Sequence, residues 1–253
     1  MRLAVLQSNY IPWKGYFDLM AMADVFIVYD SVQYTKNDWR NRNLLTSATG
    51  QTWLTISVAT ANRSGQRINE ALIDDGRWAR KHWSTVTQLL GKRPAFATFH
   101  DAWERWYTEA GSCNWLHDVN MIFLQGIASQ LGIATRIVDD REFDLYDDSP
   151  TGKLVQLCAA AGADRYVTGP AGLNYLELDL FAAEKIAVDV IDYSRYPTYA
   201  QTSGQFTHGV SVLDLMASEG EQAGGHLLGR FRTVGEPERD DAPDEAARQF
   251  GGA

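Results

Sequence analysis

Two short apolar runs with a helical pattern between them open the chain. Residues 2–6 (RLAVL) and 25–29 (VFIVY) predict strands, and the second run is apolar on both faces. After Pro12, apolar side chains recur at helical spacing: Trp13, Tyr16, Phe17, Met20 and Ala23. The pattern predicts a β-α-β unit, whose two strands pair in parallel through a right-handed crossover.

The middle of the chain changes first to a hairpin pattern and then to a helical one. Residues 43–58 (NLLTSATGQTWLTISV) read as two β segments around Thr49 and Gly50. Residues 76–132 follow with helical periodicity, which Pro94 and Gly111 interrupt. Three helices are predicted there, at 77–91, 95–110 and 115–131.

Strand and helix patterns alternate again towards the end of the chain. Strands are predicted at 135–138, 165–168 and 187–192, with helices at 152–161 and 178–185. We therefore expect an α/β fold with a Rossmann-like parallel sheet, interrupted by a helical insertion at about 76–132.

The last 35 residues differ in composition from the rest. Residues 1–218 are predicted to form a single domain, and residues 219–253 a flexible, disordered acidic tail, because Gly, Glu, Asp, Ala and Arg dominate them. The run HLLGRF at 226–231 is the candidate for a short docked element in this tail.

Charge and hydropathy exclude two classes of protein. The 253-residue chain has 32 acidic against 23 basic side chains and a net charge of -9, which argues against general nucleic-acid binding but leaves room for a local anion pocket. No apolar run is long enough to span a membrane, and the start lacks the pattern of a signal peptide. We expect a cytoplasmic protein with no membrane association.

A dense polar loop follows the second predicted strand. It reads DSVQYTKNDWRNRN at residues 30–43. Ligands of open parallel sheets collect at the carboxyl ends of strands, so the donors of this loop are expected to hold a negatively charged ligand there. These donors are the cations Lys36, Arg40 and Arg42 and the amides Gln33, Asn41 and Asn43. The alternative is a solvated loop whose cations pair with Asp30 and Asp38.

The loop after the first strand, QSNYIPWKGYF, is the second candidate for ligand binding. It leads into a predicted helix, whose free N–H groups attract anions. Neither a GxGxxG nor a P-loop fingerprint occurs. The segment WKGY takes the place of the HxGH motif of nucleotidyltransferases, but both histidines are missing, which counts against adenylyl transfer of that type.

The histidines and cysteines are dispersed. His82, His100, His117 and His208 form no HxH or HExxH pattern, so no metal site is predicted. His208 precedes a glycine and a predicted helix, and we favour a capping or surface role for it over that of a general base. Cys113 and Cys158 lack redox or metal spacing and are expected to be reduced and buried.

Several unusual motifs together resemble one known family. They are QSNYIPWKGYFDLMAMADVFIVYDSVQYTKNDWRNRN, WLTISV, YVTGPAGLNYL and FTHGVSVLDLM. In this order they resemble the WbqC-like family over about residues 1–218. Ser8 and Ala200 stand where that family usually has proline, which affects the expected shape of two loops. The resemblance implies a role in surface-polysaccharide or specialised-metabolite biosynthesis, beside aminotransferases, sugar-modifying enzymes and acyltransferases.

Together these features favour a biosynthetic transferase that acts on an anionic or nucleotide-activated small molecule. The resemblance implies N-acyl or aminoacyl transfer to an amino sugar or small amine. The candidate catalytic residues are Asp30, His208 and Lys36. The candidate substrate-binding residues are Gln7, Asn9, Tyr10, Trp13, Lys14, Gln33, Tyr34, Arg40, Asn41, Arg42, Asn43, Gly169, Pro170 and Tyr175.

Two other classes remain open at this point. One is a nucleotidyltransferase-like enzyme that uses a nucleoside triphosphate and Mg²⁺, and the other is a non-catalytic ligand-binding or scaffold protein of the pathway. Within the transferase class, an aminoacyl-tRNA is a possible donor. No resident cofactor is expected, and the oligomeric state is left open.

Overall fold

The chain is built around one mostly parallel sheet. The computed structural model describes residues 1–202 and 204–235. Its strands are β1 (Arg2–Leu6), β2 (Val25–Val28), β3 (Arg42–Ser47), β4 (Gly50–Thr55), β5 (Arg136–Asp139), β6 (Arg165–Thr168), β7 (Ala187–Ile191) and β8 (Phe231–Thr233). β3 and β4 form a separate antiparallel hairpin, as predicted, and the other six strands form the main sheet.

The order of the main sheet is β5-β2-β1-β6-β7-β8. The first five strands are parallel, and β8 pairs antiparallel with β7. Counted along the chain, this is the strand order of dinucleotide-binding α/β folds, in which the order reverses between β1 and β6 and a crevice opens at the carboxyl ends of these two strands. The predicted Rossmann-like α/β fold is confirmed.

Seven α-helices surround the two sheets in the described part of the chain. They are α1 (Lys14–Ala21), α2 (Trp78–Leu90), α3 (Phe96–Ala110), α4 (Leu116–Gln130), α5 (Pro150–Ala161), α6 (Leu178–Ala183) and α7 (Val212–Glu219). The three helices predicted within 76–132 are confirmed. α1 begins at Lys14 rather than beside Pro12, because Trp13 keeps extended backbone angles at its N-terminus.

The main sheet is covered on both faces. Side chains alternate along each strand, so Ala4 and Phe26 join one core with α1, the insertion helices and α7. Leu3 and Ile27 face the opposite way and join a second core with α5 and α6. This double coverage explains why the strands read as continuous apolar runs.

The insertion between β2 and β5 includes the hairpin as well as α2, α3 and α4. Arg93, between α2 and α3, fastens it to the rest of the domain. Its guanidinium donates to Thr46 Oγ1 at 3.0 Å and to Ser218 Oγ at 2.9 Å, and it pairs with the buried Asp214 at 3.5 Å. The insertion is therefore held by buried polar contacts to the hairpin and to α7.

The predicted tail starts too early, because residues 219–235 pack on the domain. They contain a 3-10 helix at Gly220–His226 and the strand β8. The buried Asp18 of α1 accepts hydrogen bonds from the backbone N–H groups of Leu228 at 3.1 Å and Gly229 at 2.8 Å, and from the Tyr196 hydroxyl at 2.6 Å. Composition could not show these long-range contacts. The remaining residues of the predicted tail, 236–253, lie outside the described part.

Replacing Asp18 with alanine should loosen the C-terminal segment. Three donors lose their shared acceptor, so we expect a loss of about 2–4 kcal/mol in the free energy of unfolding. Hydrogen exchange at residues 227–233 should accelerate more than elsewhere. Asp101→Ala, on an exposed helical position, is the control. Equal exchange at these residues in both variants would contradict the anchoring role.

Candidate functional site

Asp30 lies two residues after the end of β2, at the carboxyl edge of the sheet, and is completely buried. One carboxylate oxygen accepts the backbone N–H of Ser8 at 2.8 Å, which ties the loop after β1 to the loop after β2. The other oxygen lies 2.7 Å from Nδ1 of His117, near the start of α4. Asp30 therefore joins two strand ends to the helical insertion.

His117 continues this chain of contacts towards the surface. Its Nε2 lies 3.1 Å from the carboxylate of Asp139, the last residue of β5. Arg141 donates to the same Asp139 oxygen at 2.7 Å. The side chains of Asp30 and His117 are 0% and 6% exposed, whereas those of Asp139 and Arg141 are 19% and 56% exposed. The chain thus runs from the interior to solvent.

The two carboxylates control the charge of the imidazole. Burial alone would lower the pKa of His117, but the hydrogen bond and charge of Asp30, together with the charge of Asp139, raise it above 6.5. Burial likewise opposes ionisation of Asp139, but its hydrogen bonds from Arg141 hold its pKa below the usual value. The Arg141 guanidinium, 3.3 Å from Nε2, opposes this charge, but the two carboxylates outweigh it and favour the imidazolium form of His117.

Asn120, one turn further along α4, also connects this helix to the loops after β1 and β2. Its amide nitrogen donates to Ser8 Oγ at 2.8 Å and to the backbone oxygen of Arg40 at 3.0 Å. Its amide oxygen is buried and accepts no hydrogen bond from the described residues. α4 therefore contacts both strand-end loops through His117 and Asn120.

The loop at residues 30–43 meets the loop after β1, as the sequence predicts. Arg40 donates to the side-chain oxygen of Asn9, and its ion-pair partner Asp38 is 3.7 Å away. The backbone N–H of Tyr10 donates to the carbonyl of Trp39 at 3.0 Å. Gln7 is half-buried in the loop after β1. Arg40 and Asn9 are thus brought together at the carboxyl edge.

Two predicted ligand amides instead support the backbone. Asn43 donates to the carbonyls of Tyr10 and Ile11, both at 3.1 Å, and Ile11 has a positive φ of 39°. Asn41 donates to the carbonyl of Ile56 at 2.7 Å. Both asparagines are buried. They shape the two loops from within.

Two predicted aromatic ligand contacts are in the core. The Tyr10 hydroxyl lies 2.9 Å from Nδ1 of His82 and donates to Tyr107 at 3.0 Å, inside the helical insertion. Tyr34 is also buried. Burial raises the pKa of Tyr34 to about 12. Neither hydroxyl faces the crevice.

Lys14 lies in a second cluster of side chains, with residues that follow β7. Asp30 and Asp139 are on the opposite side of the point where the strand order reverses. Its ammonium donates to the carbonyl of Pro197 at 3.1 Å and lies 4.5 Å from the ring centre of Tyr196. Burial lowers the pKa of Lys14 to about 8. The neighbouring Trp13 ring folds over Gly15, where any side chain would overlap it. This cluster stabilises a lysine that loses its charge more easily than an exposed one.

Gly169 adjoins the Lys14 cluster through Tyr193. A methyl group at position 169 would lie 3.5 Å from the Tyr193 hydroxyl, and the Tyr193 ring is 4.9 Å from that of Trp13. Pro170 and Tyr175 follow Gly169 but are exposed. Trp13, Gly169 and Tyr193 are thus neighbours near the strand order reversal.

The remaining candidates lie elsewhere. His208 packs against Phe206 and Tyr196, and burial, with the charge of Lys14, lowers its pKa. Lys36 and Gln33 are exposed, and Lys36 makes no hydrogen bond or ion pair with the described residues. The Arg42 guanidinium covers the ring of Trp53 at 4.2 Å. Asp30 and His208 are therefore in separate clusters.

Sequence reasoning missed His117, Asn120, Asp139 and Arg141. Asp139 ends β5 and Arg141 lies just after it, and this position at a strand end was a usable signal. His117 and Asn120 sit within a strongly apolar helical pattern, 87 and 112 residues from their partners Asp30 and Ser8. Periodicity shows which helix face is buried but not which polar groups it meets.

The described residues offer neither a metal cluster nor a membrane span. Within 1–202 and 204–235, no three His, Cys, Asp or Glu side chains are grouped to bind a metal ion. No helix in the same ranges has both the length and the apolar character that crossing a bilayer requires.

Comparison with known proteins identifies the family. A model of the WbqC-like protein family matches residues 7–225, which include both strand-end loops and the insertion. The chain belongs to the WbqC-like family. The chain is also similar to the "Uncharacterized protein Rv1507c" of Mycobacterium tuberculosis, which is 40% identical over 226 residues, covering 89% of this chain and 97% of that protein. No solved structure matches.

The charge on His117 in this WbqC-like protein should depend on its two carboxylate neighbours. An NMR titration of the imidazole should give a pKa above 6.5, and Asp30→Asn should lower it. Because the folded state binds the proton more tightly, the stability that His117 contributes is complete below pH 6.5 and is lost as pH rises through the folded pKa. A pKa that Asp30→Asn leaves unchanged would contradict this assignment.

Proposed function

We propose that this WbqC-like protein is a biosynthetic transferase that joins an acyl or aminoacyl group to the amine of an amino sugar or small amine. The observation that best supports this proposal is the chain of contacts from Asp30 through His117 to Asp139 at the carboxyl edge of the sheet. Such a chain can hold an amine and move protons. It lies at the carboxyl edge of the sheet, on the β2 side of the point where the strand order reverses.

Asp139 is suited to contact the acceptor. Its carboxylate is ionised and partly exposed, and it lies next to Nε2 of His117. An amine N–H of the acceptor that hydrogen-bonds Asp139 is within reach of the imidazole. Asp30 is fully enclosed, so its role is to orient and charge His117 rather than to touch the substrate.

The proposed step exchanges two bonds at one carbonyl carbon. The neutral amine attacks the carbonyl carbon of the activated donor, a C–N bond forms, and the bond to the leaving oxygen or sulfur breaks. His117, charged at the start, gives a proton to the leaving group and regains one from the amine nitrogen. Its stabilised imidazolium fits this acid role.

The anionic part of the donor has candidate partners beside this chain. Arg40 is held by Asn9 and only loosely by Asp38, and its side chain is 18% exposed. The N-terminus of α1 follows Asn9 by a few residues in the sequence, and no side chain caps its free N–H groups. A phosphate or carboxylate bound here would place the donor next to the amine.

His117→Gln should abolish most of the transfer activity. We would incubate the full chain with nucleotide-linked amino sugars and with acyl-CoA or aminoacyl-tRNA donors, and detect the amide by mass spectrometry. Losing the proton-transfer group should lower the rate by about 10²–10⁴-fold. His100→Gln, at an exposed histidine of α3, is the matched control. Equal rates for both variants, or a nucleotidyl product, would refute the proposal.

Arg40→Ala should weaken donor binding with little effect on folding. Losing a charged hydrogen-bond donor is expected to raise the KM for the donor by about 10- to 100-fold, with a smaller change in kcat. Thermal melting checks stability. An equal loss of melting temperature and affinity would make Arg40 a structural clamp instead.

A further inference from the structure

Two exposed tryptophans form an aromatic surface next to the candidate site. Trp39 and Trp53 are 43% and 46% exposed, and their ring centres are 5.7 Å apart. Single exposed apolar residues are common, but adjacent exposed tryptophans are not explained by folding. We define the stacking face as Trp39, Arg42 and Trp53.

The hairpin register produces this face. Trp53 lies opposite Leu44, and Arg42 lies opposite Thr55, so Arg42 and Trp53 are diagonal neighbours on one side of the hairpin. The inward position Leu54 is buried, whereas Trp53 and Thr55 are exposed. The guanidinium of Arg42 covers one surface of the Trp53 ring.

The local charge is opposite to that of the whole protein. Residues 31–67 contain five basic side chains and one acidic one, although acidic residues outnumber basic ones in the chain by 32 to 23. Arg67 joins the start of the same loop through a β-bridge to Gln33, although Glu70 also contacts the Arg67 backbone. A local excess of basic side chains favours polyanions over neutral ligands.

The stacking face is continuous with the candidate site. The carbonyl of Trp39 accepts the N–H of Tyr10, and the next residue, Arg40, contacts Asn9. A ligand whose end stacks on Trp39 can therefore extend towards Arg40 and the chain of His117 and Asp139.

We propose that the stacking face binds the single-stranded 3′ end of a tRNA, whose aminoacyl ester is the donor of the transfer reaction. Exposed aromatic rings with neighbouring cations bind single-stranded nucleic acids by base stacking and backbone attraction. Free nucleotides are usually held in enclosed pockets, whereas this face is open. The inference rests on the proposed function for the identity of the donor, but not for RNA binding itself.

The reaction would then release uncharged tRNA. The acceptor amine attacks the ester carbonyl carbon, the amide C–N bond forms, and the ester C–O bond to the terminal ribose breaks. The ribose oxygen takes the proton that His117 supplies, and the amine proton restores the imidazolium. Atoms and charges balance without a further reactant.

Fluorescence anisotropy with a labelled single-stranded RNA ending in CCA tests the binding face. Trp39→Ala and Trp53→Ala should each weaken binding by about 5- to 100-fold, because each removes a stacking partner. Tyr146→Ala is the aromatic control, since Tyr146 is 85% exposed on another loop. Circular dichroism melting confirms that the variants fold.

The salt dependence of the same RNA binding tests the contribution of Arg42. Arg42→Gln should make the slope of log K against log salt shallower by about 0.7, as expected for one lost phosphate contact on a single strand. Lys185→Gln, at an exposed lysine before β7, should leave the slope unchanged. Wild-type affinity in both tryptophan variants, or equal competition by AMP or a neutral sugar, would overturn the RNA face.

Two outcomes separate this inference from the proposed function. Transfer from an acyl-CoA donor that survives ribonuclease treatment would overturn the RNA donor but keep the transferase. Specific RNA binding on the stacking face, with no amide product from any charged tRNA or acyl-CoA donor, would keep the face and overturn the transferase.

Discussion

Burying the carboxylate of Asp30 is the constraint on which this arrangement depends. An ionised carboxylate removed from water is costly unless hydrogen bonds and an opposite charge replace the lost hydration. Asp30 obtains them from the Ser8 backbone and from His117. These partners belong to the loop after β1 and to α4, so satisfying one charge positions a strand-end loop and the insertion together.

The burial of Asp30 also sets the direction in which the contact chain runs, from the interior to the surface. Because Asp30 holds one nitrogen of His117, the other nitrogen is directed to Asp139 and the surface. Asp140 adds to this order, since its carboxylate accepts the backbone N–H groups of Asp30 and Ser31 at 3.1 and 3.2 Å. Ordered donors and acceptors of this kind need little rearrangement when a reaction moves charge. The insertion is therefore part of the site as well as a connection between β2 and β5.

The sequence was sufficient for the fold but only partly for the site. Apolar periodicity located the helices of the insertion, and continuous apolar runs located β1, β2 and β6, because burial of these faces is a local property. The convergence of Arg40 with Asn9 followed from placing both after parallel strands. His117 could not be found in this way, because its role depends on a partner 87 residues away. Tyr10 was misread for a related reason: a polar aromatic in a loop gives no sign that His82 and Tyr107 enclose its hydroxyl.

The C-terminal segment shows the same limit. Its composition suggests a solvated chain, yet Asp18 and the Asp189–Thr233 hydrogen bond at 2.8 Å hold residues up to β8 on the sheet. The segment is held despite its low apolar content because the carboxylates of Asp18 and Asp189 are buried and accept hydrogen bonds from it. The family match ends at residue 225, within the 3-10 helix and before β8.

A crystal structure with a bound nucleotide-linked amino sugar tests the central claim most directly. We expect the ligand to lie at the carboxyl edge of the sheet, with its amine within hydrogen-bond distance of Asp139. A well-ordered ligand elsewhere, for example in the surface depression between α2 and α3, with the contacts of Asp30, His117 and Asp139 unchanged, would contradict it.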